Sequence, residues 1–371
     1  MTTYPVPPLV QPGPPLPGDR SRRYARQAVL PELGDLGQRR LAAARVLVVG
    51  AGGLGSPVLL YLAAAGVGTL GVVDDDVVDR SNLQRQVIHR EDGVGRAKTE
   101  SAAEALGRLD SGVEVVQHRE RLTADNALRL VGGYDLVVDA SDGTPTRYLV
   151  DDACGLAGVP YVWGSVLGFA GQVGTGWVGD GPCYRDLFPV PPTDAPTCAE
   201  VGVLGAVCAS VGAVMATEAL KLLVGVGEPL VGRVLVLDAL AASWRTLRVG
   251  RDPRRTPPQD LSAHAAHQPP EVEHVDAAGL RALVEGGARV LDVREPDEHA
   301  TGVVPGSVLL PLGEVLAGER PQVPDGAPLV VVCAAGGRSA QAAAALTAAG
   351  VPDVVDLRGG LARWDGPLVS P

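Results

Sequence analysis

Two groups of residues in this chain have the makings of reactive sites. The first is Gly50-Ala51-Gly52-Gly53-Leu54-Gly55, directly after the apolar run Arg45-Val46-Leu47-Val48-Val49 and before the small, apolar residues Ser56 to Ala65. A strand, a glycine turn and a helix form a nucleotide cradle. Glycine lets the backbone approach phosphate, and the helix N-terminus supplies unpaired N–H groups and a positive dipole end. A second apolar strand, Thr69-Leu70-Gly71-Val72-Val73, ends in Asp74-Asp75-Asp76. An acidic side chain there, Asp74, can hold a ribose hydroxyl. The glycine motif alone fits any dinucleotide site, including that of a nicotinamide-dependent oxidoreductase. Arg85, within Ser81-Asn82-Leu83-Gln84-Arg85-Gln86, and Lys98, within Gly95-Arg96-Ala97-Lys98, narrow the choice. They set two cations where phosphates would lie. An enzyme that cleaves a triphosphate needs that charge as pyrophosphate leaves, whereas a dehydrogenase holding a diphosphate has no evident need of it.

The second group is Cys333-Ala334-Ala335-Gly336-Gly337-Arg338-Ser339. Cys333 ends an apolar strand, and a helix is expected from near Ser339. A small-residue loop can curl its N–H groups around the sulfur. With the helix dipole and Arg338, it would stabilise a thiolate or persulfide.

The elements that must hold these residues follow from the hydrophobic pattern. In the first half, apolar strands alternate with helical segments, as in a doubly wound α/β sheet. Further strands are expected at Val113–Val116, Tyr134–Asp139 and Val159–Trp163. Residues from Val173 to about Val249 read as a second half-sheet around one long helix. That helix includes the charge-free stretch Val201 to Thr217, which is too short for a comfortable membrane span and reads as buried. From Arg251 the composition turns rich in Pro, His and Ala, the mark of a semi-rigid linker. After it, Val290–Glu295 and Leu329–Cys333 each lead from strand to loop to helix, as in a smaller α/β domain.

The motifs GAGGLG, DDDVVDRSNLQRQ and GRAK, with Arg23-Tyr24-Ala25-Arg26-Gln27 upstream, resemble the MoeB/ThiF ubiquitin-activating-enzyme-like adenylyltransferases. That family activates ubiquitin-like sulfur-carrier proteins. The resemblance runs from about Arg22 to about Arg255. It implies a Rossmann-like domain that binds ATP through Gly50, Gly52, Gly53, Gly55, Asp74, Asn82, Arg85, Gln86 and Lys98, with Asp142 holding Mg2+ at the phosphates. Bland alternatives for Asp142 are a turn or helix N-cap; Gly143 stands beside it where relatives more often carry Asn. Arg26, on its face a solvated surface residue, is implied to reach the site of a second subunit, hence a homodimer. Cys198, in Thr197-Cys198-Ala199-Glu200, falls at the family's reactive cysteine; the other reading is a small buried residue. Cys154 and Cys208 read as core.

Many such enzymes hold structural zinc with two cysteine pairs. Here Cys183 has Asp186 where its partner should be, and Arg251 to Gln259 carries no cysteine, so no structural zinc is expected.

The C-terminal segments resemble rhodaneses: Leu291-Asp292-Val293-Arg294-Glu295-Pro296-Asp297-Glu298-His299, Val304-Pro305-Gly306-Ser307, the Cys333 loop and Gly359-Gly360-Leu361-Ala362-Arg363-Trp364. Related phosphatases carry five residues between Cys and Arg. This chain carries four, which suits sulfane sulfur better than phosphate. A degenerate, non-catalytic domain is the alternative. The fusion implies an enzyme that adenylylates the C-terminal glycine of a carrier ending in Gly-Gly. Cys333, with Arg338, then delivers sulfur from a small donor such as thiosulfate. A non-catalytic carrier-binding or regulatory protein is the competing class.

Domains are therefore expected at 1–20 (a disordered Pro-rich tail), 21–255 (adenylyltransferase), 256–273 (linker) and 274–371 (rhodanese). A net charge of −11 argues against nucleic acid as the main partner. Five scattered cysteines and no apolar signal segment point to a reducing, cytoplasmic setting without a membrane anchor.

Overall fold

The computed structural model describes residues 7–178, 181–191, 201–265, 272–322, 327–334 and 336–371. It divides into two compact units, Met1–His267 and Gln268–Pro371.

The first unit is built on one eight-stranded sheet, ordered β3-β2-β1-β4-β5-β6-β7-β8. The strands are β1 (Arg45–Val49), β2 (Thr69–Val73), β3 (Glu114–His118), β4 (Leu136–Asp139), β5 (Tyr161–Leu167), β6 (Ala170–Gly176), β7 (Arg233–Asp238) and β8 (Ser243–Arg248). Strands β1 to β5 pair in parallel. The central strands β1, β2 and β4 are mainly aliphatic and buried, as in a sheet covered on both faces, while edge strand β3 is more polar and more exposed. The order reverses between β1 and β4, and a doubly wound sheet binds its ligand at such a switch point. From β5 onward the pairing turns antiparallel. The half-sheet expected after Val173 thus extends the same sheet.

The apolar helix is Gly205–Val224, starting later and running further than the charge-free stretch. Among the described residues it is the one helix long and apolar enough to cross a membrane, and most of it is buried. Val207, Val211, Met215 and Leu222 join the core with Val58 and Leu62 of helix Gly55–Ala65. Its one buried carboxylate, Glu218, accepts from Leu230 N at 2.8 Å and lies 2.6 Å from Lys221 Nζ.

Two segments differ from expectation. The Pro-rich start is docked where it is described: Leu9 N donates to Leu222 O, Gly13 N donates to Arg39 O, and Val10 is buried in the main core. Composition suggested disorder, but packing of Leu9 and burial of Val10 against the main core hold this segment in place. A helix, Gly18–Arg23, then follows. The first part of the expected linker is also bound. Leu261 is buried, Arg255 pairs with Asp186 at 3.2 Å, and His264 Nε2 lies 2.6 Å from Asp152 Oδ2.

The second unit has a five-stranded parallel sheet ordered β11-β10-β12-β13-β9. Its strands are β9 (Glu273–Val275), β10 (Arg289–Asp292), β11 (Val308–Leu309), β12 (Leu329–Val332) and β13 (Val354–Leu357). Helix Gly337–Ala348 packs Ala342, Ala343 and Leu346 against one face.

Candidate active sites

In the first unit, β1 delivers the chain into the glycine loop at the switch point. Gly50 has φ +94°, a conformation that L side chains rarely adopt. Gly55 begins helix Gly55–Ala65 so close to the loop that an added Cβ would sit 2.0 Å from Gly50 O. Only glycine at 55 permits this turn. Cys208, buried as expected, places its sulfur against Gly53 from helix Gly205–Val224.

Asp74 follows β2 and faces the loop: its Oδ2 accepts from Ala51 N at 2.8 Å and its Oδ1 from Asp76 N at 2.9 Å. Burial pushes its carboxyl up, against the pull of Lys98. Lys98 opens helix Lys98–Leu109, with Nζ 2.8 Å from Asp76 Oδ2. Burial works to lower the Lys98 pKa, but Asp74, Asp76 and Asp142 outweigh it, so the ammonium stays protonated. Asp142 is exposed at the end of β4. The following helix, Thr144–Ala157, takes Gly143 as its N-cap, so capping does not explain Asp142. Arg85 Nη2 donates to Asn82 Oδ1 at 3.1 Å, and buried Gln86 presents its amide toward Gly52.

Glycine loop, Asp74, Asn82, Arg85, Gln86, Lys98 and Asp142 thus converge on one sheet end. Arg26 is exposed on the short helix Ala25–Ala28. Its neighbours are anchored inward: Tyr24 O–H donates to Asp110, and Gln27 Nε2 donates to Gln38 Oε1 at 2.8 Å and to Ala65 O at 3.0 Å. Cys198 falls outside the described residues.

The sequence reading missed Arg147. This buried guanidinium sits 3.6 Å from Asp139 and donates to Ser141 O and Gly164 O, both at 3.0 Å. It braces the turn that presents Asp142. A lone arginine on a helix gives no such signal in sequence.

At the position compared with zinc sites, Cys183 Sγ lies 3.4 Å from Asp151 Oδ2, and burial pushes its thiol up. Asp186 accepts from Cys183 N and Asp252 N and pairs with Arg255. A carboxylate–guanidinium pair ties these two segments together.

In the second unit, Cys333 follows β12 and is buried. Gly336 N donates to its Sγ at 3.0 Å, and the Ser339 hydroxyl lies 3.4 Å away. Gly336 has φ +92°, and an added Cβ would meet Gly359 N at 2.7 Å, so this cradle needs glycine. The closing motif locks the loop: Leu361 N donates to Cys333 O at 2.7 Å and Ala362 N to Ala334 O at 2.9 Å. Arg338 makes two bonds to Glu298, each 2.6 Å. Arg294, paired with buried Asp292, holds the Glu298 carbonyl at 3.1 Å. Three of the four rhodanese-type segments, Leu291–His299, the Cys333 loop and Gly359–Trp364, therefore meet around one sulfur. Glu298 was quoted in a motif but given no role, since its function passes through Arg338.

The Arg338 bonds hold the Glu298 carboxyl at about 2. A depressed carboxylate stabilises the fold fully above its ordinary value of 4.5 and loses that contribution as pH falls toward 2. The pair is partly exposed, so Glu298→Gln should cost at most about 1 kcal/mol at neutral pH. Thermal unfolding at pH 7 and pH 3 checks this: the gap between variant and wild type should narrow at the lower pH.

Comparison with known proteins follows the same division. The ThiF family matches residues 24–257 and the rhodanese-like domain matches residues 276–366. A "probable adenylyltransferase/sulfurtransferase MoeZ" of Mycobacterium tuberculosis is 46% identical over 97% of this chain and 96% of its own length. "Adenylyltransferase and sulfurtransferase MOCS3" of Mus musculus is 42% identical over 96% of this chain and 88% of its own length. A "sulfur carrier protein adenylyltransferase" of Thermus thermophilus is 53% identical over 62% of this chain and 88% of its own length. Among solved structures, E. coli MccB with ATP superposes with a TM-score of 0.55 at 23% identity, covering 65% of this chain and 76% of that one. That likeness speaks to the fold.

Proposed function

The chain belongs to the ThiF family and carries a rhodanese-like domain behind it, and from that premise we propose that it converts the C-terminal carboxylate of a ubiquitin-like sulfur carrier into a thiocarboxylate. One observation carries the reading: a phosphate cradle with a buried, protonated Lys98 and a sulfur cradle around Cys333 share one chain.

In the first half-reaction ATP lies over Gly50–Gly55 with its ribose on Asp74. A carboxylate oxygen of the carrier's last glycine attacks the α-phosphorus, the bond to the β-phosphate oxygen breaks, and pyrophosphate leaves. The attacking carboxylate is already ionised at neutral pH, so no strong base is required. Lys98 and Arg85 offset the charge that builds on the departing phosphates. Magnesium takes one or two carboxylates plus substrate phosphates. Exposed Asp142, close to Lys98, fits that donor set and would hold the ion, which would supply further charge neutralisation. Arg26, exposed beside the inward-bonded Tyr24 and Gln27, fits a role in trans within a homodimer.

In the second half-reaction the Cys333 thiolate attacks the sulfane sulfur of a donor such as thiosulfate. The sulfur–sulfur bond breaks, sulfite leaves, and a persulfide remains. Gly336 N–H and the helix dipole stabilise its charge. The terminal sulfur attacks the acyl carbonyl, AMP leaves, and an acyl disulfide forms. A second thiol, assigned to Cys198, displaces the thiocarboxylate; the disulfide left with Cys333 takes two electrons from a thiol reductant. Cys154, Cys183 and Cys333 are free thiols, which suits a cytoplasmic, reducing setting.

Exchange of labelled pyrophosphate into ATP tests the first half. It should require a carrier ending in Gly-Gly and fail with one lacking the last glycine. Absence of exchange with every such carrier would favour the non-catalytic, regulatory alternative.

A further inference from the structure

His89 is a buried polar residue that the mechanism above does not use. It stands three residues beyond Gln86, and its ring bridges two elements of the nucleotide site. Nε2 lies 2.9 Å from Ala51 O, and Nδ1 lies 3.0 Å from Ser101 Oγ on helix Lys98–Leu109. A carbonyl only accepts, so Nε2 carries the proton and donates to Ala51. In the neutral ring Nδ1 then accepts from the Ser101 hydroxyl. Burial, aided by the charge of Lys98, lowers the His89 pKa and keeps the ring in that neutral form.

The same residue, Ala51, is held from its other side, because its N–H donates to Asp74 Oδ2 at 2.8 Å. Its carbonyl is the one that matters for the loop. The peptide unit is planar and trans, so C=O of residue 51 and N–H of residue 52 point in opposite directions. Drawing the Ala51 carbonyl inward to His89 turns the Gly52 N–H outward, to the ligand side of the cradle. Glycine at 52 and 53 offers little steric resistance to a flip of this peptide. Flipped, the unit would present a carbonyl oxygen to the phosphates and repel them.

We propose that His89 is a positioning residue for the nucleotide, locking the Ala51–Gly52 peptide so that the Gly52 N–H donates to a phosphate oxygen. The proposal rests on the reading of Gly50–Gly55 as a phosphate cradle.

Calorimetric titration of the full chain with magnesium–ATP, and separately with adenosine, tests it on three variants. His89→Leu removes the donor. His89→Asn keeps a polar group near Ser101 but cannot reach Ala51. His89→Gln carries an amide N–H close to the Nε2 position and restores the bond. Leu and Asn should weaken ATP binding by about ten- to a hundredfold, the worth of a hydrogen bond to a charged group. They should leave adenosine affinity unchanged, and Gln should recover most of the loss. Equal weakening of ATP and adenosine, or a Gln variant as weak as Leu, would mean a packing role and overturn the proposal. If His89→Leu does not fold, the contrast between Asn and Gln decides alone. Wild-type protein that binds no ATP would overturn the cradle reading itself, before any variant is compared.

Discussion

Cys333→Ala leaves carrier-dependent pyrophosphate exchange intact and abolishes transfer of sulfur. The sulfur atom is the group that forms and breaks bonds in the second half-reaction, so its removal should cost at least about a thousandfold. The substitution removes one buried atom from a loop whose shape is set by backbone bonds from Leu361 and Ala362, so the fold should persist. Cys333→Ser sharpens the test. Its hydroxyl can still receive the Gly336 N–H, yet an alcohol at neutral pH does not capture sulfane sulfur. Both variants should therefore fail to move sulfur from thiosulfate to cyanide. Sulfur transfer near the wild-type rate in either would shift the persulfide to another cysteine. Loss of pyrophosphate exchange in either would show that the two half-reactions are not separable in this chain.

Lys98→Ala has the opposite profile. The ammonium is buried among Asp74, Asp76 and Asp142, and their combined charge keeps it protonated across the neutral range. Its removal takes away charge stabilisation at the phosphates and leaves three carboxylates facing a polyanion. Losing one preorganised group of this kind costs about a hundred- to a thousandfold in rate, the expected fall in pyrophosphate exchange. Lys98 also opposes the burial that raises the Asp74 pKa, so the variant lets that pKa rise further. Lys98→Arg should not rescue, because a planar guanidinium needs more room than this buried site gives an ammonium. Thiosulfate-to-cyanide transfer should be unchanged in both variants. A fall in exchange of less than about tenfold would remove Lys98 from the triphosphate clamp.

How much of this could be read from the chain depended on how each residue acts. Gly50, Gly55, Lys98, Cys333 and Arg338 stand in fixed short spacings next to apolar strands, so pattern alone located them. His89, Arg147 and Glu298 work through another group: a carbonyl, a turn and a guanidinium. Singly, each looks like an ordinary helix or loop residue. The misread segments share one cause. Proline, glycine and histidine in the N-terminal stretch and before residue 265 suggested free chain, but their partners are remote in sequence. Arg255 meets Asp186, 69 residues earlier, and His264 meets Asp152, 112 residues earlier. The parallel half of the sheet was legible because its central strands β1, β2 and β4 are mainly apolar. The antiparallel extension was legible only as a half-sheet between Val173 and about Val249, without its continuity with the parallel half, since β8 is largely exposed and polar.

The central claim is that one chain carries a carboxylate through an adenylate to a thiocarboxylate. Intact mass spectrometry of a carrier ending in Gly-Gly, after incubation with this protein, ATP, magnesium, thiosulfate and a thiol reductant, tests it most directly. The account predicts a mass increase equal to one sulfur replacing one oxygen, dependent on both ATP and thiosulfate. An unchanged carrier mass with every such carrier, from protein that still binds ATP, would contradict it.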